Sequence, residues 1–182
     1  MKVIGIVGMP ASGKGEASKI ARDLGIPVVV MGDAIRERAA EAGLPATDAN
    51  LGAMSGKLRS ELGMDAIARI TIPVIEAASA PVVLVDGIRG DYEVAAFREH
   101  FPDFTLIGIV SSFETRYVRL ANRGRSDDTL TAEELRARDE RELGWGLGRA
   151  LAQADCRIVN EGTLEEFTAE IRALLCLLGG KE

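Results

Sequence analysis

Apolar residues gather in short runs at 3–7, 26–31, 81–85 and 105–110, with a weaker run at 156–159. Their hydrophobicity is continuous rather than alternating, which predicts strands buried on both faces, as in a parallel sheet covered by helices. Between the runs the period changes. Ala17, Ile20, Ala21 and Leu24 recur at helical spacing until Gly25 stops them. Near the end, Thr163 and Glu166 form a capping box, and Leu164, Phe167, Ile171, Leu174, Leu175 and Leu178 follow on one face expected to pack as core. The interval from Gly32 to Ser79 is too long for one crossover and reads as helices over 33–42, 48–62 and 65–78, separated by Gly43-Leu44-Pro45 and the turn after Leu62. Strand and helix thus alternate, and the expected fold is an α/β three-layer sandwich on a five-stranded parallel sheet with right-handed crossovers. It forms a single domain over 1–182, with a helical lobe inserted at about 33–79 and a short lid at about 123–143. Ligands in such sheets bind beyond the carboxyl ends of the strands.

The first run leads straight into Gly8-Met9-Pro10-Ala11-Ser12-Gly13-Lys14-Gly15, and the first helical pattern follows. Strand, glycine-bounded loop, lysine and helix are the parts of a phosphate-binding P-loop. Its successive backbone N–H groups make an anion-sized nest, and the positive end of the helix points at the same place. Gly8 and Gly13 are required where a Cβ would obstruct a left-handed backbone or the approach of phosphate oxygens. The spacing fits GxxxxGK, but Gly15 stands where many such loops place a Ser or Thr that holds magnesium.

Composition narrows the function classes. With 47% hydrophobic and 27% charged residues the chain is an ordinary globular sequence. Its net charge of −6 and 4% aromatic content argue against an extended nucleic-acid surface. No apolar run reaches the roughly 18 residues of a membrane span, and Met1-Lys2 leads at once into the first strand. A cytoplasmic protein without membrane attachment is expected. Cys156 and Cys176 lie far from each other and from the single histidine, so both are expected as buried apolar thiols. His100 is expected at a surface helix end.

Gly-Lys-Gly at 13–15 resembles the adenylate kinase branch of the nucleoside monophosphate kinases. That family's loop continues with Thr, whereas this chain has Glu16, so a hydroxyl contact to phosphate is not carried over. Gly32-Asp33-Ala34-Ile35-Arg36 resembles the Gly-Asp-x-x-Arg segment whose arginine grips the acceptor phosphate. The resemblance puts Asp33 and Arg36 at the acceptor, although Asp33 is equally placed to cap the helix. Asp86-Gly87-Ile88-Arg89 is similar to the family's Asp-Gly-Phe-Pro-Arg, shortened by one residue. It implies Arg89 as a second clamp and Asp86 as the carboxylate that holds magnesium through water.

Arg116, Arg119, Arg123 and Arg125 run toward Gly124 and the acidic 126–128 loop. This segment resembles the start of a lid, and implies that Arg123 and Arg125 join Lys14 in stabilising the transferring phosphoryl group. Arg136, Arg138 and Arg141 follow on a helix capped by Thr131 and Glu134, as further candidates. Residues 153–164 look more like the last strand and helix of dephospho-coenzyme A kinases, whose second strand ends in Asp-x-Asp; here Met31 replaces the first acid. Taken whole, the chain resembles an archaeal family of adenylate-kinase-like P-loop proteins.

The expected activity is transfer of the γ-phosphoryl group of ATP, with Mg2+, to a small phosphorylated acceptor, AMP first among them. The residues of 8–16, Gly8 through Glu16 including Met9, Pro10, Ala11 and Ser12, would hold the donor. A hydroxyl kinase of the dephospho-coenzyme A type is the alternative enzyme. A switch or assembly factor that hydrolyses ATP slowly is the alternative of another class.

Overall fold

The structure, a computed structural model, describes residues 1–123 and 131–179. Its strands are β1 (Lys2–Gly8), β2 (Val28–Val30), β3 (Val82–Ile88), β4 (Phe104–Val110) and β5 (Cys156–Val159). They pair in parallel throughout, in the order β2-β3-β1-β4-β5. The helices are α1 (Lys14–Asp23), α2 (Met31–Glu41), α3 (Asp48–Leu62), α4 (Ala66–Ala77), α5 (Asp91–His100), α6 (Phe113–Arg123), α7 (Ala132–Gly144), α8 (Leu147–Ala152) and α9 (Leu164–Gly179).

The continuous apolarity of the central strands has the expected cause. Val3, Val7, Val83, Val85 and Leu106 pack on one face of the sheet with Ile35, Ile67, Ile75, Val94 and Phe97. Their neighbours Ile4, Ile6, Leu84, Ile107 and Ile109 face the other way, against Ala17, Ile20, Phe167, Ile171 and Leu175 of α1 and α9. Successive strand side chains alternate between faces, so covering both faces demands apolar residues at every position. Among the described residues no helix is long and apolar enough to cross a membrane.

The edges of the sheet depart from expectation. β2 is only three residues long and half-buried, because it is paired on one side only and α2 begins directly at Met31. Consequently Asp33 is not the cap of α2. Val30 holds that position, and Asp33 sits in the first turn. At the opposite edge Ile158 is buried while Val159 is exposed, and Cys156 is half-buried, as is Cys176 on α9. The cysteines are therefore not the buried thiols expected. On α9 the buried stripe is Phe167, Ile171 and Leu175, whereas Leu164 is exposed. Both capping boxes form, Thr131 with Glu134 and Thr163 with Glu166. The short helix α8 has no counterpart in the sequence reading. His100 ends α5 exposed, bonded to Glu76 at 2.8 Å.

Candidate active site

The loop between β1 and α1 is built on two sterically obligatory glycines. A Cβ on Gly8 would stand 2.5 Å from the Ile109 carbonyl oxygen and 2.4 Å from Ser12 Oγ. Gly13, at φ 118°, precedes α1, and a Cβ there would meet Asn160 Nδ2 at 2.4 Å. Ala11 takes a left-handed φ of 61°, a conformation that costs about 1–2 kcal/mol in an L-residue. Lys14 folds back under this loop and donates to the carbonyls of Gly8 (2.6 Å) and Met9 (2.9 Å). Burial, reinforced by the positive charge of Arg89 and only partly offset by Asp86, pushes the Lys14 ammonium down to about 7.

Asp86 stands at the end of β3, beside α1. Ser18, one turn past Lys14, donates to Asp86 Oδ2 at 2.7 Å. Gly87, at φ 104°, interrupts the register between β1 and β3, where Ile6 pairs with Asp86 but Val7 pairs with Ile88. The bulge sends the flanking side chains to different places. Asp86 lines only the cavity over the loop, whereas Arg89 lines that cavity and the next one.

The cavity over the loop, about 650 Å³, reaches from Gly13 and Lys14 to Arg119. A second, narrower chamber of about 60 Å³ lies between α2, α3 and α7. Gly32, Arg36, Gly87, Arg89 and Arg138 line both, so the two meet there. Arg36 is partly exposed, and its Nη1 donates to Asp33 at 2.8 Å. Asp33 itself is 70% exposed and lines neither cavity. Arg89 pairs closely with Glu142, and its backbone N–H donates to Glu93 at 2.7 Å. Burial and the neighbouring Arg138 and Arg59 push the Arg89 guanidinium down to about 10, so it remains charged at neutral pH. Arg123 ends the backbone of α6, but its side chain, and the whole of Arg125, lie outside the described residues.

Residues 7–136 match the family model described as AAA domain. A UPF0200 protein of Methanoculleus marisnigri is 84% identical over 182 residues, the full length of both chains. The chain belongs to the UPF0200 family. Solved structures extend the comparison to the fold. TT1252 from Thermus thermophilus aligns over 98% of this chain and 97% of its own, at TM-score 0.65 and 20% identity. A shikimate kinase from Bacteroides thetaiotaomicron aligns over 98% of each chain at TM-score 0.58 and 18% identity. A gluconokinase from Sinorhizobium meliloti gives TM-score 0.60 at 19% identity over 98% of this chain and 94% of its own. The UPF0200 chain has the P-loop kinase fold.

Several residues of this UPF0200 site make contacts that the sequence did not foretell. Ser18 is the first. Asn160, buried after β5, donates to the Ser12 carbonyl at 2.9 Å and accepts from Arg119 at 3.0 Å, fastening the loop to α6. Arg116, buried, holds Asp139 of α7 through both oxygens at 2.9 and 2.6 Å and reaches the Pro10 carbonyl at 3.2 Å. The second chamber is lined by Arg138 and Arg141, two of the further candidates on the capped helix, together with Arg59, Asp48 and Glu142, which the sequence presents as helix surface. Arg59 pairs with buried Glu93 at 2.7 Å and lies 4.3 Å over the Trp145 ring. Burial pushes the Glu93 carboxyl above the usual carboxylate range, against the pull of Arg59. Arg141 takes both oxygens of Asp48 at 2.9 and 2.8 Å, and Arg138 stands between Asp48 (3.3 Å) and Glu142 (3.2 Å). A visible signal existed in the spacing. Gly52, Ser55 and Arg59 on α3, and Leu135, Arg138, Asp139 and Glu142 on α7, recur at the three-, four- and seven-residue offsets of an inward helix face.

The residues present fit a magnesium ion of the kind that nucleotides bring. Such an ion takes one or two carboxylates, with phosphate and water completing its shell. Asp86, lining the cavity over the loop, is a carboxylate that fits such an ion, and among the described residues no three His, Cys, Asp or Glu side chains gather as an all-protein metal cage.

Proposed function

We propose that this UPF0200 protein is an ATP-dependent phosphotransferase that passes the γ-phosphoryl group to a small phosphorylated acceptor. The observation that carries the reading is the meeting of a P-loop cavity with an arginine-lined chamber at Arg36, Arg89 and Arg138. A nucleotide switch needs the first space but has no use for the second. The fold shared with kinases supports the same class.

In this reading the nest of 8–16 and Lys14 hold the donor phosphates, and the phosphate charge favours the ammonium form of Lys14 that burial disfavours. Asp86, oriented by Ser18, would hold Mg2+ through water, and that ion when bound would supply positive charge to the phosphate oxygens. Arg36 and Arg89 grip the acceptor anion, whose planar forks suit a phosphate that must be both bound and aimed. Arg138, at the junction, neutralises the group in transit, the part expected of Arg123 and Arg125 in the lid. No protein nucleophile is needed, since positioning and electrostatics supply most of such a reaction. Asp33, turned to Arg36 and outside both cavities, orients that arginine rather than acting as a base.

Incubating the full chain with ATP and magnesium, and with AMP, other monophosphates, dephospho-coenzyme A or water alone, tests the reading when products are identified by mass. Acceptor-dependent ADP formation is expected, with phosphorylated product. Hydrolysis indifferent to every acceptor would replace the kinase by the switch.

A further inference from the structure

Helix α4 is apolar almost all round. From Ala66 to Ala77 its only charged residues are Arg69 and Glu76, and a helix of that composition belongs inside a core. One side meets the expectation. Ile67, Ala68 and Ile75 are buried in the core, and Ile67 also walls the arginine-lined chamber. The other side faces out: Val74 is 52% exposed, Pro73 and Ala77 are exposed, and Ile70 is half-buried. Leu62, at the end of α3, is 53% exposed and joins Ala66, Arg69 and Ile70 around a shallow cavity of about 270 Å³. Ala66, Ile70, Pro73 and Ala77 recur at the three- and four-residue offsets of a single helix face, so this surface is continuous rather than scattered. A continuous exposed apolar patch marks an interaction surface.

The two charges restrict what covers it. Arg69 and Glu76 are opposite in sign and stand seven residues apart, almost two full turns, on the same flank of the face. Each has a partner within the chain, Asp65 at 3.0 Å and His100 at 2.8 Å, yet their side chains stay 56% and 53% exposed and open to a second contact. In a two-fold pair, whatever residue one copy offers to a second residue of its partner is offered back in return. Two α4 helices packed antiparallel bring like flanks together, which sets Arg69 on the partner's Glu76 twice, with Pro73 near the axis. The same register lays Val74 against the partner's Ile70 and turns Ala77 toward the partner's cavity beside Leu62. A parallel pair would set like charges at the same height, so charge complementarity selects the antiparallel one.

We propose that the occupant is a second copy of this chain, and that the protein is a two-fold homodimer joined through the outer faces of α4. The contact lies behind the chamber wall at Ile67, and neither Leu62, Ile70 nor Val74 lines the P-loop cavity or the chamber. Dimerisation therefore leaves both spaces open, and it does not depend on the phosphotransfer reading.

Sedimentation velocity of the full chain across a micromolar range tests it, with circular dichroism confirming that each variant is folded. A dimer of two 19.4 kDa chains is expected. Val74→Glu, at an exposed position, should sediment as a monomer, because association would bury a carboxylate without a partner. Arg69→Glu and Glu76→Arg should each give monomers by opposing like charges, and the double variant should regain the dimer, since both pairs return with their signs reversed. If Arg69→Glu fails to fold through loss of its bond to the Leu62 carbonyl, the wild type and Val74→Glu still decide the matter. Any wild-type state other than a dimer, a dimer that survives Val74→Glu, or a folded double variant that stays monomeric would each overturn the proposal.

Discussion

Ser18 donates its hydroxyl to Asp86 Oδ2 across 2.7 Å, joining the second turn of α1 to the end of β3. The hydroxyl missing at Gly15 thus has a neighbour that holds the carboxylate in place rather than a ligand of the same kind. Asp86→Asn should depress magnesium-dependent turnover far more than metal-free nucleotide binding, because in the proposed mechanism the carboxylate engages the hydrated ion. Ser18→Ala should raise the magnesium needed for half-maximal turnover several-fold and cost about 1 kcal/mol of stability, the ordinary net worth of one hydrogen bond. Titrating ATP and magnesium separately distinguishes the outcomes; equal losses with and without metal would make Asp86 structural.

Lys14 gives a pH dependence of definite sign. Its ammonium titrates near 7 in the free chain, and bound phosphate raises that value by favouring the charged form. ATP binding should therefore take up protons above pH 7, and affinity should fall as pH rises from 7 toward 9. Calorimetry in buffers of different ionisation enthalpy measures the uptake. Lys14→Met should abolish it, leave the fold intact and nearly remove turnover; proton uptake that persists in the variant would assign the titration elsewhere.

Arg36 and Asp33 are both partly exposed, so their ion pair contributes about 0–1 kcal/mol. Arg36→Ala should weaken the apparent affinity for the acceptor at least tenfold, the worth of one charge-assisted contact, with little change in ATP binding. Asp33→Asn should alter turnover only modestly. A collapse of activity in Asp33→Asn would restore it as a base and favour a hydroxyl acceptor.

Glu93 and Arg59 are buried together, and breaking such a pair from one side leaves a charge without compensation. Glu93→Gln should lower unfolding free energy by about 3–5 kcal/mol, read from the urea midpoint. Replacing both by apolar residues, Arg59→Met with Glu93→Leu, should recover much of that loss. A single variant as stable as the wild type would show that the pair does not hold α3 to α5.

The strands, their parallel pairing and the P-loop were legible in the sequence because each is dictated locally. Two-sided burial writes itself as unbroken apolar runs such as Val3 to Val7, and the steric demand at Gly8 and Gly13 writes itself as glycine. Capping boxes at Thr131 and Thr163 are local in the same way, and both formed. The bounds of α3 agree with the sequence reading for this reason, with Thr47 accepting from the Asn50 N–H at its start and Gly63 at its end.

The chemistry of the arginine-lined chamber was decided only by tertiary structure. On α7 the inward stripe after Leu135 consists of Arg138, Asp139 and Glu142, and a polar helix of this composition reads as a solvated one until its partners are known. Those partners, Asp48, Arg89 and Arg116, come from α3, the end of β3 and α6. Whether a charge can be buried depends on the countercharge brought to it from distant parts of the chain, which periodicity along one helix does not encode. The sequence by itself determined a P-loop sheet and the side on which nucleotide would bind; the folding of α3 and α7 over Arg89 turned ordinary surface charges into an arginine-rich chamber, because only packing removes them from water and brings the opposing carboxylates within hydrogen-bond reach.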